Sequence, residues 1–160
     1  MSVRRVAKRV LTAVSLTVLV AVAPPVAAHA APGTTQLKGL LVPDTSGVCT
    51  DHSASFGTYV VSGTLAGCWY IDTFDVQHES HAGGFVASGT ETFVGCLGAR
   101  CGRFFTTYTF TARYIGEIEA HGRCHHPIVG GEGGFENVSG VINMHDLPNG
   151  SSTFRGHLTD

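Results

Sequence analysis

Charged side chains are scarce: Asp, Glu, Lys and Arg make up 14% of the 160 residues. Frequent Val, Leu, Ile and Phe accompany that scarcity, which excludes a disordered chain. Basic residues do not prevail either. The formal net charge is −2, so a nucleic-acid-binding surface is not expected. No CxxC pair is present, which removes the usual spacing of a structural zinc site. There is no phosphate-loop signature, no nucleophile elbow, no repeat and no low-complexity tract. No segment keeps a helical period. The length allows one ordinary domain.

The first 30 residues are built unlike the rest. Arg4, Arg5, Lys8 and Arg9 form a cationic start, and Val10 to Ala23 is an uncharged apolar run. Pro24-Pro25 breaks any helix, and Ala28-His29-Ala30 fits the small-x-small pattern of a signal-peptidase site. The run is shorter than the ~20 residues that a bilayer needs. Residues 1–30 are therefore expected to be a signal peptide on the general secretory route, cleaved after Ala30, which leaves no membrane segment. Cleavage would remove four of the ten basic residues and none of the twelve acidic ones, so the exported chain carries a net charge of −6. Such a surface repels phosphate backbones. About 130 residues can bury roughly two-thirds of the unfolded chain's surface.

All five cysteines, Cys49, Cys68, Cys96, Cys101 and Cys124, lie beyond the leader. Disulfides persist outside the cell, and an odd count leaves one thiol over. Sequence alone leaves the pairing open. The pairing expected is Cys96–Cys101 across a short hairpin and Cys49–Cys68 around a loop of ~20 residues, the latter contributing ~3 kcal/mol in the chain-entropy model. Cys124 would then be a buried free thiol.

Residues 31–55, rich in Gly, Pro, Thr and Ser, read as a partly mobile lead-in to a domain over 56–160. From Phe56 onward the pattern is strand and turn. Gly57–Gly63 is short and β-branched. Gly67–Val76 alternates, with Trp69, Ile71 and Thr73 opposite Cys68, Tyr70, Asp72 and Phe74. Gln77–Gly84 is polar and turn-like. Gly89–Cys96 reads as a strand, and Gly102–Tyr114 is the clearest one, because Phe104, Thr106, Tyr108, Phe110 and Ala112 share a face. Over Glu117–His126, period two places Glu117, Glu119, His121, Arg123 and His125 on one side, with Ile118, Ala120, Gly122, Cys124 and His126 on the other. Gly130–Gly140 reads as a Gly-rich turn anchored by Phe135. Val141–Asp146 and Thr153–Leu158 are the last strands, joined by a turn over 147–152. Seven or eight short strands with Gly-rich turns imply an all-β antiparallel sandwich or barrel. Abundant glycine favours a single closed barrel of about eight strands, whose corners must bend sharply.

The candidate sites are few. His121 and His125 share a face but stand ~13 Å apart along a strand, too far for one metal ion; neighbouring strands would have to add His145 or His157. The expectation is a solvated polar face with no metal. Glu117 with Glu119, and Asp72 with Asp75, read as surface charge, since acid–base work needs two carboxyls held in different environments within a cleft. Gly130 to Gly134 reads as a tight turn needing positive φ. Asn137 and Asn149 open glycosylation sequons. An eight-stranded barrel has room for a filled core or for a small ligand. The filled core is the default expectation; in the alternative, Tyr70, Phe104, Tyr108 and Phe110 would line a cavity.

The run from Pro127 through Gly130-Gly131-Glu132-Gly133-Gly134-Phe135 to Gly140-Val141-Ile142 resembles the GGxGxFxxxxG turn of the allene oxide cyclase and dirigent-like β-barrel superfamily. Thr153-Phe154-Arg155-Gly156-His157-Leu158 is similar to that group's closing strand. The resemblance covers roughly residues 85–158 and makes Gly130, Gly131, Gly133, Phe135 and Gly140 the structural turn. It implies an eight-stranded antiparallel barrel with an internal cavity, often oligomeric. Members of the superfamily steer a reactive intermediate in an apolar pocket, and many bacterial relatives are secreted. No catalytic residue of the cyclases carries over to this chain.

Three functions are therefore expected, in this order. The first is a secreted barrel that binds a small apolar ligand or a surface partner. The second is an isomerase or cyclase that orients a reactive substrate by shape. The third is a solid-cored structural or interaction module. No cofactor, metal or nucleic acid is expected, and a homo-oligomer is compatible with all three. A polar pair inside an otherwise apolar lumen would favour the second over the first.

Overall fold

Period-two alternation organises nearly every segment of the chain. The computed structural model describes residues 33–53 and 56–160. Nine strands follow one another: β1 (Thr34–Pro43), β2 (Gly57–Gly63), β3 (Leu65–Ile71), β4 (Asp75–Glu79), β5 (Gly84–Leu97), β6 (Arg100–Ile115), β7 (Ile118–Gly133), β8 (Ser139–Asp146) and β9 (Ser152–Thr159). Among the described residues there is no helix. Every pairing is antiparallel. β1 pairs with both β2 and β9, and β3 with both β2 and β5, so eight strands close into the expected barrel. β4 stands outside the ring and pairs only with the first part of β5.

The closure corrects three expectations. The stretch 31–55 is not simply a lead-in, because Thr34–Pro43 is a barrel strand. Its inward residues Leu37 and Leu41 are buried, and it completes the ring by bridging β2 and β9. Gly67–Val76 is not one strand. The chain steps out over residues 72–74, where the amides of Asp72 and Thr73 both donate to Thr90 O, and resumes as β4 over part of the expected polar turn. Gly130 and Gly131 belong to β7, opposite Phe105 and Phe104. The turn itself begins after them, where Gly133 takes φ 65° and Phe135 N–H donates to Glu132 O. The expected leader, residues 1–30, lies outside the described residues.

One end of the barrel is solid. Phe135 folds from the β7–β8 turn into that end and is fully buried. Its ring meets Phe104 at 5.4 Å and Phe93 at 5.9 Å, both edge to face. Phe93 stacks on Phe104 at 4.8 Å. Such aromatic pairs add about 0.5–1.5 kcal/mol beyond area burial. Phe104 therefore sits in a packed core rather than against a cavity.

Both disulfides have the expected partners. Cys96 and Cys101 face each other across the β5–β6 hairpin, Cα atoms 4.0 Å apart. Cys49–Cys68 fastens the segment after β1 onto the outside of β3, with Cα atoms 5.6 Å apart. The two bonds are consistent with an extracellular protein. The fastened segment also accounts for Tyr70. Trp69 points into the barrel, so its neighbour must point out. Tyr70 is nevertheless buried, because the segment covers it: Asp51 N–H donates to Tyr70 Oη at 3.2 Å and the His52 ring lies edge-on at 5.2 Å. His52 is held in turn by Asp72 Oδ1 at 2.7 Å. Tyr70 thus seals the outer wall and does not line the lumen.

Candidate functional site

Beyond Trp69 the inward residues change character. On β5, Glu91 follows Phe93 on the same face, two residues away. On β6, Thr106, Tyr108 and Phe110 follow Phe104. On β7, Cys124 and His126 follow Ile128. Together these leave a cavity of about 270 Å³ at the end opposite Phe135. Trp69 and Leu41 belong both to the packed core and to the cavity wall, so they mark the boundary. The barrel is therefore half filled and half hollow, and each of the two readings of its interior holds at one end. Of the four residues expected to line a cavity, Tyr108 and Phe110 do so, while Tyr70 and Phe104 do not.

The floor carries a buried imidazole–carboxyl pair. His126 Nε2 lies 2.9 Å from Glu91 Oε2, and the two side chains are 1% and 6% exposed. Thr106 Oγ1 donates to the same oxygen at 3.4 Å. On the other side of the ring, Nδ1 donates to Ile142 O at 3.2 Å. Both ring nitrogens therefore face acceptors, and one proton is held between Nε2 and Oε2. Trp69 stands edge-on to the imidazole at 5.5 Å, and Tyr108 lies 6.0 Å away. Tyr108 Oη donates to Thr73 O at 3.0 Å, which ties the step before β4 to the cavity wall. Burial pushes the Tyr108 phenol well above its ordinary range, and the Glu91 charge adds to that.

The mouth carries two carboxyls. Strict alternation would leave Glu119 on the solvent side with His121, Arg123 and His125, as expected for surface charge. A β-bulge corrects this. Arg113 pairs with His121 and Tyr114 with Glu119, so Ala120 is the extra residue, and Glu119 turns onto the face of Cys124 and His126. There it meets Asp146 of β8, anchored by Ser152 Oγ at 2.6 Å. Tyr114 Oη donates to Glu119 Oε2 at 3.4 Å. Burial raises the Glu119 pKa, and the Asp146 charge raises it further. Gly122 makes the approach possible, since a Cβ there would overlap both Glu119 Oε1 and Asp146 Oδ2.

Cys124 is the free thiol; it is half-buried and lines the cavity. Burial pushes its pKa far up, with the Glu91 and Asp146 charges adding to the effect. His125 faces outward and bonds Asn143 Oδ1 through Nδ1 at 2.8 Å, while His145 is in register with Arg123 and His157 with Val141. Among the described residues no three His, Cys, Asp or Glu side chains gather as a metal site would require.

Neither Glu91 nor the Glu91–His126 pair stands out in the sequence. The available signal was parity, because Glu91 is two residues from Phe93 and His126 two from Ile128, both core residues. No protein-family model matches the chain, and no curated protein matches it.

Proposed function

We propose that this is a secreted binding protein that holds one small ligand in the hollow end of its barrel. The observation that carries the reading is a lumen of about 270 Å³ walled by aromatic rings, with the buried Glu91–His126 pair on its floor. That volume lies near the lower edge of the roughly 300–1,000 Å³ usual for small-molecule pockets, so the ligand is small. The same volume weighs against a solid-cored module. The two disulfides support export. Kinship with the allene oxide cyclase and dirigent-like barrels is part of the proposal. It rests on the resemblance of the Gly-rich turn and is supported by the eight-stranded ring and the plug at Phe135.

The Glu91–His126 pair favours a second reading, in which the lumen steers an isomerisation or cyclisation. Against a base role, His126 already uses both nitrogens, so a contact would have to break before it accepted a substrate proton. Binding therefore ranks first.

Trp69 is the chain's single tryptophan and stands on the cavity wall, so its emission reports occupancy. A neutral apolar probe such as N-phenylnaphthylamine is expected to change that emission saturably, one molecule per chain by native mass spectrometry. The same spectra give the number of subunits. An emission unmoved by any small molecule would overturn the reading.

A further inference from the structure

We infer that the hollow end of the barrel selects a small organic cation, an ammonium group on an apolar body. The inference rests on the pocket reading above and names its ligand class.

Ring faces supply the first argument. Tyr59, Tyr108, Tyr114, Phe85 and Phe110 come to the cavity from β2, β5 and β6. An ammonium group is attracted to the negative face of such rings, and more strongly once desolvated. Charge is the second argument. Among the described residues three carboxyls line the lumen and no Lys or Arg does. Glu91 is matched by His126, which leaves Glu119 and Asp146 unmatched by any lining cation. Two carboxyls brought together at a half-closed mouth oppose each other's ionisation, which adds to burial in raising the Glu119 pKa. A ligand cation would relieve that opposition; an anion would worsen it. A metal ion fits poorly, because the wall offers aromatic faces and no gathered set of three ligating groups.

The test compares choline with the alcohol in which a tert-butyl group replaces trimethylammonium. The two have nearly the same shape and differ in charge. Each is titrated into the secreted protein, with Trp69 emission as the readout. Choline is expected to bind about tenfold tighter or more, on the order of one desolvated cation–π contact. Glu119→Gln and Asp146→Asn are each expected to reduce that ratio. Equal binding of the two compounds would overturn the inference and leave the pocket reading standing. Binding of neither, nor of N-phenylnaphthylamine, would overturn both. The wild-type comparison alone decides the matter if a variant fails to fold.

Discussion

His126 Nε2 and Glu91 Oε2 meet at 2.9 Å where the barrel changes from filled to hollow. Removing one partner of a buried pair strands the other and costs about 3–5 kcal/mol, whereas replacing both by apolar groups of similar volume is often far cheaper. Glu91→Leu and His126→Leu should each lower the urea midpoint sharply, and the double variant should lower it by much less than the sum. Strict additivity would mean that the two side chains do not interact.

At the solid end, Phe135 is fully buried among Phe93, Phe104 and the cation of Arg100, whose guanidinium carbon is 5.1 Å from its ring centre. Phe135→Ala should cost about 3–5 kcal/mol. Phe135→Leu fills part of the same space and should cost clearly less. Guanidinium unfolding measures both. A loss below about 1 kcal/mol for Ala would mean that the turn does not close the barrel.

Much of the ring was legible because its strands keep strict parity. Phe104, Thr106, Tyr108 and Phe110 announce an inner face through simple alternation, and β6 follows it. β1 is hard to read in the sequence because Gly39 lies between its two buried leucines, and Gly and Pro at its ends resemble a loop. Glu119 is hidden from sequence for a different reason: a bulge adds one residue and reverses parity, and period two carries no mark of it. Glu91 does not stand out because a lone acid in a strand looks like solvent-side charge. Its burial depends on His126, thirty-five residues away on another strand, and sequence does not display that pairing.

The two disulfides should differ in what they contribute. Cys49–Cys68 spans a sequence separation of 19 and Cys96–Cys101 one of 5. Loop entropy then predicts about 3 kcal/mol for the first and about 2 for the second. Replacing Cys49 and Cys68 by Ser should also release the cover over Tyr70 and make its ring accessible to iodination. Replacing Cys96 and Cys101 should leave Tyr70 protected. A non-reduced digest should show both crosslinks, and a peptide joining Cys96 to Cys124 would refute the arrangement.

Two carboxyls should bend the pH profile in opposite directions. Asp44 accepts the Cys49 amide at 2.9 Å and the Ser46 hydroxyl at 2.8 Å, with the Gly47 and Val48 amides also bonded to it, which lowers its pKa to about 2. A carboxyl lowered by folding stabilises above its unfolded value of about 3.9 and loses that contribution as pH falls through its folded value. Amide resonances of residues 46–49 should therefore shift together near pH 2, and not at all in Asp44→Asn. Glu119 is raised, so ionising it costs stability. That cost is present above its folded pKa and vanishes below its unfolded value of about 4.3. Glu119→Gln should raise the melting temperature at neutral pH and leave it unchanged near pH 4. A neutral-pH destabilisation would contradict the inward placement.

Cys124 offers the last check on the lumen. A thiol reacts as thiolate, and burial with the Glu91 and Asp146 charges nearby keeps this one protonated. Iodoacetamide should label native protein very slowly at neutral pH and label urea-unfolded protein at the rate of an ordinary thiol. The four disulfide cysteines should stay unlabelled in both. Because Cys124 lies on the cavity wall, a bound ligand should slow native labelling further. Acceleration by ligand, or equal rates with and without urea, would mean that Cys124 faces solvent and does not line the cavity.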